Sequence, residues 1–273
     1  MSKGKNIGVF DSGFGGLSIL RGIVKELPAY NYLYLGDTAR TPYGSRSADT
    51  IYTFSTQAVD FLFAHNCELV IFACNTASSE ALRRIQQEYL PARYPGKKVL
   101  GVLIPAAEVA AQDTTREKIG VIATESTVRS GAFLRELHKI NPRLTIVQQA
   151  CPLLVPLVEA GAHRSKAAGM ILKHYLAPLK KRRINTLVLG CTHYGFFERA
   201  IKREMGPTVR IVSESRVVPK TLRDYLVRHP EIEKRLGTHG TRDFYSTDLT
   251  ATFTKLGSRF FGKKILVKKA TLA

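Results

Sequence analysis

Two of the four cysteines in this 273-residue chain stand where thiol chemistry could occur. Cys74 and Cys191 each directly follow a short apolar run and precede a stretch with helical character, residues 76–88 and 194–204. A thiol at the N-terminus of a helix is expected to have a lowered pKa, which favours the reactive thiolate. Cys67 and Cys151 are expected to be buried, inert thiols, the commoner role of cysteine in a core.

The presence of two such thiols limits the type of reaction that the residues could catalyse. A single reactive cysteine would suggest a nucleophile, as in a hydrolase with a Cys and His pair. Two equivalent cysteines suggest proton transfer, because inverting a carbon acid with two bases requires one group on each face, one thiolate and one thiol. Asn75 and Thr76 follow the first cysteine and Thr192 and His193 the second, and these side chains are suited to a carboxylate. Helix capping by the threonines is a compatible interpretation.

The elements that must position these residues form an alternating pattern. Continuous apolar runs separated by amphipathic stretches are typical of a parallel α/β sheet covered by helices. Ligands in such folds bind beyond the carboxyl ends of the strands, which is where the polar residues occur. The predicted strands are residues 7–10, 32–35, 69–73, 99–103, 119–123, 144–147, 187–189 and 209–212.

A weak internal similarity links the two halves of the chain. Residues 8–12 resemble residues 120–124, and each segment is followed at a later strand by a cysteine. Two similar lobes facing each other would bring both cysteines to a shared cleft. Chance similarity between α/β units is the alternative.

Four ordered motifs carry a family resemblance, and two further segments, 124–127 and 151–159, match as well. The chain resembles the glutamate racemases of the aspartate/glutamate racemase superfamily. The resemblance implies an α/β fold of two similar parallel-sheet lobes, residues 1–97 with 208–273 returning to them and residues 98–207, with the active site in the cleft. The four motifs are residues 10–16 (FDSGFGG), 36–44 (GDTARTPYG), 73–77 (ACNTA) and 190–194 (GCTHY).

The resemblance also implies a reaction. The expected activity is cofactor-independent interconversion of L- and D-glutamate, without pyridoxal phosphate or metal, supplying D-glutamate for peptidoglycan. Cys74 would act on the D-enantiomer with help from Asp11. Cys191 would act on the L-enantiomer with help from His193, behind which Glu159 would lie.

The same resemblance assigns the substrate contacts. The amino and carboxylate groups of the substrate would be held by polar side chains, and the substrate's side-chain carboxylate by the backbone of Pro42, Tyr43 and Gly44. From the residues alone, Asp11 is equally a turn residue and Glu159 an ordinary helix-surface residue. The polar side chains are those of Ser12, Asn75, Thr76, Thr124 and Thr192.

Charge and composition leave alternatives open. The net charge of +19 can attract nucleic acid or an anionic substrate, but the basic residues are scattered and match no nucleic-acid motif, which favours solvated surface. No run of about 18 apolar residues is present, so we expect a cytoplasmic protein without a membrane span.

The alternatives to a glutamate racemase are a racemase of aspartate or another amino acid, and a nucleic-acid-associated protein with a racemase fold. A homodimer is admissible, although the sequence does not decide the oligomeric state.

Three positions depart from the family pattern. Gly195 stands where a proline usually follows the aromatic residue, which predicts a more mobile Cys191 loop. Ile104 and the segment 213–215 are also atypical.

Overall fold

The computed structural model describes residues 4–112 and 117–272 and contains two parallel β-sheets covered by helices. The central strands are buried along almost their whole length, which explains their continuous apolar sequence. The predicted α/β fold with two similar parallel sheets is therefore confirmed. The strands are β1 (Asn6–Asp11), β2 (Tyr32–Gly36), β3 (Cys67–Phe72), β4 (Lys98–Gly101), β5 (Lys118–Ala123), β6 (Thr145–Ala150), β7 (Thr186–Gly190), β8 (Arg210–Ser213), β9 (Arg242–Ser246) and β10 (Val267–Lys269).

The two sheets share one strand order. The six-stranded sheet runs β10-β9-β2-β1-β3-β4 and the four-stranded sheet runs β6-β5-β7-β8. The order β6-β5-β7-β8 repeats β2-β1-β3-β4, so β5 corresponds to β1 and β7 to β3. The weak similarity between residues 8–12 and 120–124 thus falls on equivalent strands. Cys74 and Cys191 consequently follow equivalent strands, one in each sheet.

The chain passes between the two lobes slightly later than the predicted boundaries, as the pairing of the strands shows. The strand β4, starting at Lys98, pairs with β3, and the strand β8, starting at Arg210, pairs with β7. The crossings therefore follow Gly101 and Ser213 rather than residues 97 and 207. The C-terminal strands β9 and β10 extend the first sheet beyond β2.

The helices cover both sheets, and α12 (Glu214–Arg228) packs against α1 (Gly16–Glu26) and α6 (Leu103–Ala111) of the two lobes. The predicted helix over residues 76–88 is instead a broken series, ending in a π-helical turn at Ile85–Tyr89. The helices are α1 (Gly16–Glu26), α2 (Ala48–Ala64), α3 (Asn75–Glu80), α4 (Leu82–Arg84), α5 (Leu90–Arg93), α6 (Leu103–Ala111), α7 (Glu125–Arg129), α8 (Ala132–Ile140), α9 (Leu154–Glu159), α10 (Lys166–Lys181), α11 (Glu198–Met205), α12 (Glu214–Arg228), α13 (Pro230–Glu233) and α14 (Ala251–Phe261).

A buried ion cluster ties the C-terminal region to the first sheet. The Glu68 carboxylate accepts hydrogen bonds from Lys5 Nζ at 2.7 Å, Lys97 Nζ at 2.8 Å and Arg235 Nη1 at 2.9 Å. Burial raises the pKa of Glu68, but the three cations together outweigh it and lower the pKa to about 2. The carboxylate therefore stabilises the fold above its unfolded pKa of about 4.3, and this contribution is lost as the pH falls toward 2.

We expect Glu68→Gln to lower the free energy of unfolding by about 2 kcal/mol at neutral pH, because three cations lose their shared carboxylate. Urea denaturation measured between pH 7 and pH 3 should show this difference shrinking with acid. Asp243→Asn removes an exposed pair with Lys268 and should change stability by less than about 1 kcal/mol. A difference that stays constant across this pH range would contradict the electrostatic explanation.

Candidate active site

A small cavity lies between the two lobes, beyond the carboxyl ends of their strands. Its volume is about 40 Å³. All of the site residues expected from the sequence line it except Asp11, which lies beside it at the end of β1. The lining residues are Ser12, Thr41, Pro42, Tyr43, Gly44, Cys74, Asn75, Thr76, Thr124, Val155, Glu159, Cys191, Thr192 and His193.

Cys74 lies at the N-terminus of α3, as the sequence predicts. Its Sγ atom accepts a hydrogen bond from the backbone N–H of Ala77 at 3.5 Å and lies 3.4 Å from Ser12 Oγ. The buried carboxylate of Asp11 accepts from the backbone N–H of Gly13 at 2.9 Å. Burial raises the pKa of Asp11, opposed by His193 and by backbone N–H groups. A carboxyl group with a raised pKa is thus placed on the Cys74 side of the cavity.

Cys191 follows β7 but does not cap a helix, in contrast to the prediction. A one-turn 3₁₀-helix begins at Tyr194 and α11 only at Glu198, so the expected helix over residues 194–204 is split. The thiol instead lies next to two side chains, His193 and Glu159, that are in contact with each other. Cys191 Sγ lies 4.0 Å from His193 Nδ1, and His193 Nε2 lies 3.2 Å from Glu159 Oε1.

Both thiols are harder to ionise than the sequence suggests. Burial, and then the nearby Asp11, raise the pKa of Cys74 to about 11, against the hydrogen bonds from Ser12 and Ala77. Burial also raises the pKa of Cys191 well above its ordinary value. Burial thus opposes the effect that the sequence predicts for the helix N-terminus at Cys74, because desolvation disfavours the charged thiolate.

Close contacts join the two lobes at this cavity. Thr76 Oγ1 lies 3.0 Å from Thr124 Oγ1 across the cleft. A Cβ atom at Gly15 would lie 2.0 Å from Thr192 Oγ1 and 2.7 Å from His193 Nδ1. Glycine at position 15 therefore allows the loop after β1 to touch the loop that carries Cys191.

The turn at Pro42, Tyr43 and Gly44 is held in place by a hydrogen bond to a residue outside the cavity lining. Tyr43 donates from its hydroxyl group to Asp37 Oδ2 at 2.5 Å, and Asp37 also accepts from Thr247 Oγ1 at 2.8 Å. With its phenol anchored to the buried Asp37 carboxylate, Tyr43 is held in place where the turn borders the cavity. The anchoring by Thr247, which lies 204 residues further along the chain, gave no sequence signal.

Thr41 and Val155 line the cavity but were not singled out from the sequence. Both lie inside or beside matched motifs, and that proximity is the signal that could have found them. Of the atypical positions, Ile104 lies exposed on α6 and a Cβ atom at Gly195 would meet no atom within 4 Å. The expected mobility of the Cys191 loop stays a prediction.

The part of the chain that the structure describes lacks two features of other classes of function. In residues 4–112 and 117–272, no three His, Cys, Asp or Glu side chains converge in a way that could hold a metal ion. Within the same ranges, no helix is both long enough and apolar enough to cross a membrane.

Comparison with known proteins gives consistent matches over nearly the whole chain. Residues 7–215 match the family model described as Asp/Glu/Hydantoin racemase. A glutamate racemase from Geobacter metallireducens is 38% identical over 262 residues, covering 96% of this chain and 94% of the relative.

Solved structures of glutamate racemases also match this chain over nearly its whole length. A glutamate racemase isoform from Bacillus anthracis superposes with a TM-score of 0.90 at 34% identity, covering 99% of this chain and 98% of that one. A glutamate racemase from Francisella tularensis in complex with D-glutamate superposes with a TM-score of 0.88 at 30% identity, covering 98% of each chain.

Proposed function

Because this chain belongs to the Asp/Glu/hydantoin racemase family, we propose that it interconverts L- and D-glutamate by proton transfer between two thiols. The observation that carries the proposal is the placement of Cys74 and Cys191 after equivalent strands of two lobes, on one shared cavity. Full-length similarity to proteins named glutamate racemase supports glutamate over aspartate as substrate. We further propose that the product D-glutamate serves peptidoglycan synthesis in the cytoplasm.

The two thiols divide the reaction between them. In this mechanism Cys74 removes the α-proton of D-glutamate, Cys191 removes that of L-glutamate, and the opposite thiol reprotonates the carbanion. The opposite thiol keeps its proton for delivery, while the thiol that acts as the base must first lose its own proton, which burial opposes by raising the pKa of both thiols. Asp11 receives that proton beside Cys74, and His193 receives it beside Cys191.

Glu159 supports the second of these transfers. Its carboxylate lies 3.2 Å from His193 Nε2, so it stabilises the imidazolium that forms when Nδ1 takes up the proton of Cys191. The two thiols are assisted by different groups, because the Cys74 side uses a buried carboxyl group and the Cys191 side uses a histidine. The two directions of the reaction therefore depend on different assistants.

Polar groups around the cavity supply the substrate contacts. Ser12, Asn75 and Thr76 from the first lobe face Thr124 and Thr192 from the second, and these five side chains hold the α-amino and α-carboxylate groups. The backbone of residues 42–44 receives the side-chain carboxylate.

We expect the purified protein, treated with a chelator and given no pyridoxal phosphate, to convert either enantiomer of glutamate to an equal mixture. Chiral chromatography of the reaction measures this directly. Aspartate, which is shorter by one methylene, should have a kcat/KM lower by about 10- to 200-fold. Equal or faster turnover of aspartate would reject the substrate assignment, and activity that required added metal or pyridoxal phosphate would reject the mechanism.

The nucleic-acid alternative receives no specific support. Several of the basic side chains are engaged in ion pairs with carboxylates, including Lys5, Lys97 and Arg235 around Glu68. The relatives and neighbours described above are named as racemases. A homodimer stays a prediction from the sequence.

A further inference from the structure

One buried carboxyl group beside the active site has no part in the proton transfers described above. Glu214 begins α12, directly after the chain crosses from β8 of the second sheet, and it is 3% exposed. It belongs to the segment 213–215, which departs from the family pattern. A buried carboxyl group is costly unless it makes specific interactions, so its position calls for an explanation.

Glu214 makes one specific contact, and that contact reaches the cavity. Its Oε2 atom accepts a hydrogen bond of 2.7 Å from Nδ2 of Asn75, a residue that lines the cavity. Asn75 is also 3% exposed, and its carbonyl Oδ1 has no hydrogen-bond partner among the described residues. The bond therefore engages the donor end of the amide and leaves the acceptor end unpaired.

Asn75 lines the proposed substrate cavity, so its unpaired acceptor has a candidate partner in the substrate. Glutamate carries one cationic group, its α-ammonium, which donates three hydrogen bonds and would satisfy Asn75 Oδ1. If the amide could rotate, it would present its NH₂ group to the ammonium instead, and two donors would face each other. The orientation of the Asn75 amide thus decides whether this contact is attractive.

The protonation of Glu214 is compatible with such a role. Burial raises the pKa of Glu214 to about 8, opposed by the hydrogen bond from Asn75 and assisted by the charge of Asp11. An ionised Glu214 would also raise the pKa of Cys191 electrostatically. A neutral Glu214 still accepts the hydrogen bond from Asn75 and adds no negative charge beside the two bases.

We propose that Glu214 is a positioning residue that holds the Asn75 amide with its carbonyl oxygen available to the substrate ammonium. The inference rests on the proposed function and deepens it. Because Glu214 acts through Asn75 and does not touch the reacting carbon, its removal should affect substrate binding more than the chemical step.

The test is a double-mutant cycle in the full-length protein. Glu214→Met keeps the length of the side chain but removes the acceptor, and it should raise KM for both enantiomers about 10-fold while kcat changes less than about 3-fold. Glu214→Gln retains a carbonyl acceptor without charge and should recover most of the loss. In an Asn75→Ala background, Glu214→Met should change KM less than about 2-fold.

Controls separate this proposal from the proposed function. Racemisation by the unmodified protein tests the function alone, and Glu108→Met on the exposed face of α6 should leave KM unchanged. If Glu214→Met does not fold, Glu214→Asp, which withdraws the carboxyl group by one methylene, should raise KM in the same way. Additive effects of the Asn75 and Glu214 substitutions, or a folded Glu214→Gln protein as impaired as Glu214→Met, would overturn the proposal.

Discussion

Alanine at position 74 or at position 191 is expected to reduce racemisation at least about 1,000-fold in both directions. Each direction uses one thiol to remove the α-proton and the other to deliver a proton, so neither direction survives the loss of either thiol. The equilibrium constant of a racemisation is 1, which requires kcat/KM for the two enantiomers to fall equally in every variant. Initial rates from each enantiomer, measured by chiral chromatography, provide the check.

The chain contains matched controls for these substitutions. Cys67 and Cys151 are fully buried cysteines away from the cavity, and burial raises the pKa of each to about 12. Cys67→Ala and Cys151→Ala remove the same atom and should keep kcat/KM within about 3-fold, at a modest cost in stability. A folded Cys67→Ala protein as inactive as Cys74→Ala would show that the roles of the thiols are assigned wrongly.

The local sequence predicted the strands and the site because both depend on short segments. A continuous apolar run such as β1 forms a buried strand wherever it lies in the chain, and the polar residues at its end must then face the cleft. The strands β9 and β10 escaped prediction because they are short and charged, with Arg242 and Asp243 opening one and two lysines closing the other. The strand β9 forms through pairing with β2, some 200 residues away, and β10 pairs in turn with β9, so neither depends on its own composition alone.

The pKa shifts of the site residues could not be predicted from short stretches of sequence. The helix N-terminus at Cys74 is visible in the sequence, but its effect on the thiol is outweighed by burial, which arises only when the two lobes meet. The same holds for Glu214, whose burial and contact with Asn75 require residues 139 positions apart. The motifs therefore identify which residues line the cavity, while the ionisation of these residues follows from the assembled cavity.

That assembled cavity leads to an expected result in heavy water. When unlabelled L-glutamate reacts, Cys191 takes the α-proton and Cys74 delivers the proton that completes D-glutamate. The Cys74 thiol exchanges with solvent before substrate binds, so the first D-glutamate formed should carry deuterium at its α-carbon. Starting from D-glutamate, the first L-glutamate should be labelled in the same way by Cys191.

The recovered substrate distinguishes this mechanism from a single base. Cys74 and Cys191 are only 5% and 8% exposed, so a proton just taken from the substrate is shielded from solvent in the small cavity. Return of that proton regenerates unlabelled substrate, and early substrate should therefore contain almost no deuterium. A single base would instead serve both faces of the carbanion, giving unlabelled product or label shared by both pools. Chiral separation followed by mass spectrometry at less than about 5% conversion measures the two pools, and comparable early labelling in both would exclude the two-thiol mechanism even for an active racemase.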